Sequence, residues 1–377
     1  MDFNLTNEQE LLRDGLTKFL ASRYDLTSSR AAAKTGAGWQ PEIWRGFAEE
    51  LGILGATLPE EAGGIGGGPV ETMVIAEALG HALVIEPFVD TVVVAGGLLH
   101  RSGDAAAAAL LEDIVAGAAI VALAATEPTS GDNWRDVSTT ARRDGDEWVL
   151  DGTKVMVVDA PLATHLLVTA RTSGERDDTD GISLFLVDIA SLSTEFTAHP
   201  YRTVDDRRAS DLTFSDVRMP ASALLGAEGQ AWPSLDLARD EGAAAVCAEA
   251  VGGMRKVLAD TVEYCKQRQQ FGLPIGSFQA LQHRMVDMHM EVEQASAAVY
   301  LAVLNLDAEP AQLPKAVSAA KATLGRAARL VGRNSGQFPG ARRTPEERPR
   351  RPSFKRRSPG PTAFGHTPSP RPPAPAR

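Results

Sequence analysis

Between residues 119 and 228 the apolar residues fall into short runs at strand spacing, while on either side they recur at helix spacing. One face cannot serve both periods, so the chain must hold separate helical and β parts. The β-rich runs are Val121 to Ala125, Glu147 to Leu150, Lys154 to Val158, Leu166 to Ala170, Ser183 to Val187 and Asp211 to Phe214. Turn signals such as Arg143-Asp144-Gly145-Asp146 and Asp180-Gly181 separate them, with no helical segment between. That spacing predicts a β-sandwich or β-barrel.

The zone before it, residues 1–118, reads as helices. Thr6 and Gln9 form a capping box, and Leu12, Leu16, Phe19 and Leu20 follow at helical spacing. Glu71 to Val84 and Asp104 to Ala116 are two further helices. The run PEEAGGIGGGP, Pro59 to Pro69, reads as a structural turn, since it lacks the GK[ST] of a phosphate loop. The zone after it, residues 229–336, returns to helix with Leu235 to Glu263, Phe278 to Leu304 and Ala316 to Val331. Leu281, Met285, Met288, Val292, Ala295 and Val299 form a stripe that reads as core rather than as a cofactor pocket. The expected fold is therefore α+β and multidomain, in the order N-terminal helices, middle β-barrel or sandwich, C-terminal helical bundle.

Residues 337–377 form an atypical tail. From residue 338 on it holds 11 of the chain's 23 prolines, and nine Arg and one Lys against two Glu. With a formal charge of −11 overall, the preceding 337 residues carry −19, which excludes a nucleic-acid-binding body. The tail reads as solvated and without regular structure, with a basic tail for nucleic acid or anionic membrane as the functional alternative. Two cysteines, Cys247 and Cys265, make no disulfide framework and fit a reducing cytosol. The opening MDFNLTNEQELL has no basic region before an apolar run, so no signal peptide is expected. No apolar stretch is long enough to span a membrane, and Ala118 to Ala125 reads as a buried segment. Seven histidines show no metal-ligand spacing, and no metal is expected.

Tyr264 to Met288, YCKQRQQFGLPIGSFQALQHRMVDM, carries Arg268, Phe271, Gly272, Pro274, Ile275, Phe278, Gln279, Asp287 and Met288 in one constellation. It resembles the signature of the acyl-CoA dehydrogenase family. LPEEAGGIGG at Leu58 to Gly67, Thr126-Glu127-Pro128 after a β run, and FSDVRMP at Phe214 to Pro220 resemble further family segments. The opening MDFNLTNEQELLRD and the phrase VSAAKATLGRAARLVGRNS resemble the subgroup of pimeloyl-CoA dehydrogenase small subunits.

The resemblance implies FAD as cofactor and α,β-dehydrogenation of an acyl-CoA thioester. In that reaction a carboxylate takes the α-proton and the β-hydrogen leaves as hydride to flavin N5. It implies an oligomer, typically a tetramer with homologous dehydrogenase subunits, with electron-transfer flavoprotein as acceptor. By the same resemblance Arg268 and Gln279 contact the pyrophosphate of a neighbouring subunit's FAD, and Phe271 packs near its adenosine. Thr126 donates to the isoalloxazine edge. The family's Trp-x-Thr is here Met156-Val157-Val158, so Val158 offers backbone N–H where the family offers a hydroxyl. Thr129-Ser130-Gly131-Asp132 departs from the family's Gly-Ala-Gly-Ser.

The family's late Glu matches Gly365, which cannot act as a base. Other members take the base from the long helix, where this chain has Asp240 and Glu241, with the matching position itself at Gly242. Glu241 is the first candidate and Asp240 the second, against a solvated acidic pair at a helix start. In place of the family's Gly-Gly turn the chain has Gln337 and Gly340 in register, followed by Pro/Arg-rich replacements at unchanged spacing. Local frame errors in a GC-rich gene would leave that pattern. Two rival functions stand beside the dehydrogenase: a non-catalytic subunit that completes a partner's flavin site, and a flavin monooxygenase on the same fold.

Overall fold

A computed structural model describes residues 5–35, 38–192, 194–306 and 312–337. The first helix starts at the capping box. Thr6 Oγ1 accepts the Gln9 N–H at 3.3 Å and the Gln9 side chain accepts the Thr6 N–H at 3.0 Å. Two donors left open at a helix start are thereby satisfied. The helices are α1 (Asn7–Arg23), α2 (Leu26–Lys34), α3 (Pro41–Glu49), α4 (Pro69–Ala82), α5 (Gly96–Ser102), α6 (Ala105–Val115), α7 (Trp232–Gln267), α8 (Gln279–Leu304) and α9 (Leu313–Gln337). A π-helical stretch, Val89–Ala95, leads into α5. The strands are β1 (Val121–Ala124), β2 (Thr140–Asp144), β3 (Glu147–Val158), β4 (His165–Arg171), β5 (Ile182–Asp188), β6 (Phe196–Arg202), β7 (Arg208–Pro220), β8 (Leu224–Leu225), β9 (Gln269–Gln270) and β10 (Leu273–Pro274).

The chain divides into two compact units. One comprises Met1–Ser29, Pro69–Val84 and Ala243–Arg377, and the other Arg30–Gly68 and Ile85–Gly242. The first unit is helical, with Met73, Met254, Met288, Val292, Val299 and Leu324 among its buried residues. The Met288–Val299 part of the predicted stripe is core, whereas Leu281 and Met285 are only half-buried. Helices α4 and α7 approach each other through glycine. A Cβ on Gly80 would lie 1.8 Å from the Glu249 carbonyl oxygen, and one on Gly252 would lie 1.9 Å from that of Glu77.

The second unit holds an eight-stranded sheet in the order β6-β7-β3-β2-β4-β5-β8, with β1 parallel to β4. Trp148, Leu150, Leu166, Phe185 and Phe214 fill its core. Two predicted runs, Glu147 to Leu150 and Lys154 to Val158, are halves of the single strand β3, bent by register shifts after Leu150 and after Lys154. β2 and β6 escape the sequence reading because four of five residues in β2, and most of β6, face solvent and carry no apolar alternation. The Gly-rich run closes on itself as a turn, with Ile65 N–H to Gly55 O, Gly66 N–H to Leu58 O and Gly67 N–H to Ala56 O, each 2.8 Å. Both cysteines are buried, and neither is in a disulfide among the described residues. Among the described residues no helix is long and apolar enough to cross a membrane. The Pro/Arg-rich tail from residue 338, with Gly340 and Gly365, lies outside the described residues.

The α4–α7 contact predicts opposite signs for two like substitutions. Gly252→Ala is expected to destabilise by about 1–3 kcal/mol through overpacking. Gly15→Ala, in α1 with nothing near its would-be Cβ, is expected to stabilise by about 0.5–1 kcal/mol. Chemical denaturation of the two variants checks both.

Candidate active site

β1 ends at Ala124 and delivers Thr126-Glu127-Pro128 to a loop. The Thr126 carbonyl accepts the Val155 N–H of β3 at 2.9 Å. The Thr126 hydroxyl has no hydrogen-bond partner among the described residues. Glu127 turns inward. Its carboxylate accepts Lys154 Nζ at 2.7 Å, the Ser138 N–H at 2.8 Å, the Thr139 N–H at 3.0 Å and the Ser138 hydroxyl. Lys154 Nζ also donates to Thr169 Oγ1 at 3.0 Å. Burial alone would raise the Glu127 carboxyl, but Lys154, Ser138 and Thr139 outweigh it and hold it at about 2. Burial pushes the Lys154 ammonium down to about 8 against the pull of Glu127.

Two residues beyond Lys154, Met156 sits at φ 52° with its side chain 59% exposed. Its N–H donates to Asp211 Oδ1 at 3.0 Å, and the same oxygen accepts the Tyr201 hydroxyl at 2.9 Å. Burial and the neighbouring Asp211 raise the Tyr201 hydroxyl to about 12. Val158 pairs with Ala209 of β7 at the strand end. The next residue, Asp159, lies at φ 62° and shares Arg207 with Asp90 of the π-helical stretch. Burial opposes the Arg207 charge, but Asp159 and Asp90 keep its guanidinium protonated well beyond its ordinary range.

Asp240 and Glu241 lie on α7. Asp240 is buried. Glu241 is gripped by Arg101 of α5, with Nη1 to Oε1 at 2.9 Å and Nη2 to Oε2 at 3.0 Å. The fork packs against Gly97, where a Cβ would stand 3.0 Å from Glu241 Oε2 and 3.1 Å from Arg101 Nη1. Sequence reasoning missed Arg101, which is separated from Glu241 by 140 positions and carries no local motif.

Arg268 precedes the β9–β10 hairpin, Phe271 sits in its turn and Gln279 follows it at the start of α8. The Ile275 N–H donates to the Arg268 carbonyl at 2.8 Å, folding the segment back before α8 begins at Gln279. The hairpin's two turn residues, Phe271 and Gly272, lie at φ 55° and 77°. That geometry favours Asn-Gly, yet a Phe occupies it, 94% exposed and edge-on to Phe278 at 6.2 Å. Arg268 and Gln279 are exposed and have no side-chain partner among the described residues. A guanidinium fork offers planar donors suited to phosphate, and the exposed Phe271 ring offers a face for stacking. Gln337 ends α9. Among the described residues no group of His, Cys, Asp and Glu could hold a metal ion.

Three family models match the chain in order: Acyl-CoA dehydrogenase, N-terminal domain, over residues 6–118; middle domain, over 122–217; and C-terminal domain, over 232–356. Acyl-CoA dehydrogenase FadE12 of Mycobacterium tuberculosis is 33% identical over 297 residues, 77% of this chain and 74% of that protein. The probable acyl-CoA dehydrogenase YngJ of Bacillus subtilis is 30% identical over 304 residues, 79% of each. The butyryl-CoA dehydrogenase structure from Megasphaera elsdenii aligns with a TM-score of 0.89 at 27% identity, covering 97% of this chain and 96% of that one.

Two predictions follow from the charge pair and the hairpin. Glu127 has its carboxyl depressed from 4.5, so its stabilising contribution is present above pH 4.5 and lost as pH falls toward about 2. Glu127→Gln, which strands Lys154, is expected to cost about 3–5 kcal/mol at neutral pH and to flatten the acid side of the melting-temperature profile. Phe271→Asn, which relieves the left-handed strain, is expected to stabilise the flavin-free chain by about 1 kcal/mol while weakening FAD retention on gel filtration.

Proposed function

This chain belongs to the acyl-CoA dehydrogenase family, and from that premise we propose that it dehydrogenates an acyl-CoA thioester between the α and β carbons as one subunit of an oligomer. The single observation that carries the reading is the match of all three family domains in their family order. FAD, the family's cofactor, supplies the hydride acceptor when bound. What remains for the chain is to hold the cofactor, orient the substrate and move one proton.

Thr126 and the Met156–Val158 segment are the contacts proposed for the flavin ring. Thr126 offers an uncommitted hydroxyl, and Val158 offers backbone only. Arg268 and Gln279 suit the pyrophosphate, and Phe271 the adenosine, of a neighbouring subunit's cofactor. Gln337 and Gly340 are proposed at its adenine end by register alone. The partner is a homologous dehydrogenase subunit, and electron-transfer flavoprotein is the proposed acceptor.

The α-proton falls to Glu241. Arg101 makes one hydrogen bond to each Glu241 oxygen, and each oxygen keeps a second lone pair that can accept a proton. The fork sets the carboxylate's angle. Gly97 makes room for it, since a Cβ there would crowd Oε2 and the guanidinium. Asp240 is the second candidate. The same fork favours a second reading, in which Glu241 is a structural partner of Arg101 and the chain completes the flavin site of a catalytic homologue.

Anaerobic addition of medium-chain acyl-CoA esters to the purified flavoprotein tests both readings. Wild type is expected to lose its flavin band. Glu241→Gln is expected to keep the flavin and to lose about 10²–10⁴-fold in bleaching rate. Equal bleaching by the variant overturns Glu241 as the base. A wild-type flavin that no ester bleaches, with turnover only after co-assembly with a homologue, favours the non-catalytic subunit. Product formation that requires oxygen favours the monooxygenase.

A further inference from the structure

The Glu127–Lys154 pair has both side chains at 0% exposure, and the proton transfer proposed above uses neither. A buried pair of this kind contributes little net stability over apolar residues of equal volume. Its wiring, though, is specific. Glu127 follows Thr126 directly, and Lys154 precedes Met156 by two positions and Val158 by four. The Glu127 carboxylate gathers the amides of Ser138 and Thr139, which closes the loop from residue 126 to 139. Ser130 tightens the start of that loop, its Oγ accepting the Glu127 N–H at 2.9 Å and donating to the Glu127 carbonyl at 3.2 Å. Lys154 reaches across to Thr169 of β4, whose hydroxyl lies 3.5 Å from the Ala124 carbonyl at the end of β1. One ammonium thus joins the strand that enters the loop, the loop itself and the strand that carries the second proposed flavin contact.

The strain beside the pair has the same explanation. Met156 is apolar, exposed and left-handed, a conformation that persists only where its flanks are held. Asp211 holds its amide, and two residues earlier Lys154 is locked to Glu127. An apolar pair would fill the same volume without fixing an angle, because the hydrophobic effect is non-directional. A carboxylate facing an ammonium and two amides admits one arrangement.

We propose that Glu127 and Lys154 are positioning residues of the flavin site, fixing Thr126 and the Met156–Val158 segment at one mutual spacing. This rests on the FAD reading above and adds to it two residues that touch neither flavin nor substrate. Loss of the pair would free the loop and the strand end to move apart, and FAD would bind less tightly and in a less defined pose.

The test compares FAD binding by wild type, Lys154→Met and Thr169→Val, each first shown to be folded by far-ultraviolet circular dichroism. Readouts are the FAD dissociation constant, the visible circular dichroism of bound flavin, and hydrogen exchange at the Val155, Ser138 and Thr139 amides. Lys154→Met is expected to raise the dissociation constant by about tenfold or more, to alter the flavin dichroism and to speed exchange at all three amides. Thr169→Val removes only one contact of the ammonium. It is expected to move every readout the same way by a smaller factor, and it carries the test should Lys154→Met not fold. Gly252→Ala, destabilised in the helical unit, controls for general loss of stability and is expected to leave the flavin dichroism unchanged. Folded variants that bind FAD with wild-type affinity and dichroism overturn the proposal while leaving the FAD reading intact. A wild-type protein that takes up no FAD overturns the FAD reading, and this inference with it.

Discussion

Lys154 carries an ammonium where water cannot reach it, and the interior of the sheet unit is arranged to satisfy it. An isolated charge at that depth would cost several kcal/mol. Glu127 must therefore turn inward, and its loop must follow. Once inward, the carboxylate has lone pairs to fill, and the nearest donors are the amides that lead into β2. The path of the loop between β1 and β2 is thus set by hydrogen bonding to one carboxylate more than by apolar packing. The bend of β3 belongs to the same arrangement. Its register shifts immediately after Lys154, so the charged side chain points inward while Met156, two residues on, turns out to solvent.

How much of this was legible in the sequence depended on whether the signal was local. Helices α1, α4, α6, α7, α8 and α9 each carry a run of apolar residues at three- and four-residue spacing, and the reading finds all six, though it ends α9 at Val331, six residues short of Gln337. Capping at Thr6 is a contact between neighbours in sequence and was readable as such. The Val89–Ala95 stretch was not, because VDTVVVA is a buried apolar run with no period to distinguish helix from strand. β2 and β6 hide for the opposite reason, being too polar to show a buried face. At the site, the motif residues stood out as a resemblance, but their partners did not. Arg101 and Lys154 look like a helix-end basic residue and a strand interruption until the fold brings Glu241 and Glu127 to them.

Met156 and Phe271 share a signature that neither composition nor period reveals. Each is apolar, each is exposed, and each sits at positive φ where a side chain costs about 1–2 kcal/mol. They lie in different units, on unrelated local structures: one at a strand irregularity, the other in a two-residue turn. Phe271 sets its edge-on contact with Phe278 against that cost, and Met156 the bond from its amide to Asp211. Strained residues of this kind cluster at functional sites. In both cases the resemblance independently puts the cofactor at that position. By that resemblance Phe271 faces a neighbouring subunit's cofactor and Met156 lies in the segment matched to the flavin contacts, so each distortion bears separately on its own motif.

Arg101 and Glu241 pose the harder question, because one carboxylate is asked to be held and to be free. A guanidinium fork fixes a carboxylate's position at the cost of one lone pair on each oxygen. A base needs position too, since proton transfer demands hydrogen-bond reach of the α-carbon. The two demands are compatible, because a fork with one bond to each oxygen leaves a second lone pair on each. The glycine at position 97 makes room for the fork, since a Cβ there would stand 3.0 Å from Oε2 and 3.1 Å from Nη1. The structural reading needs the same glycine, because a Cβ at position 97 would crowd Oε2 and both guanidinium nitrogens even in a pair that never opens. Glycine costs the helix about 1 kcal/mol against alanine, and what it secures is the bidentate fork itself. The fork is thus common to both readings, and they part only on whether Glu241 accepts a proton within it.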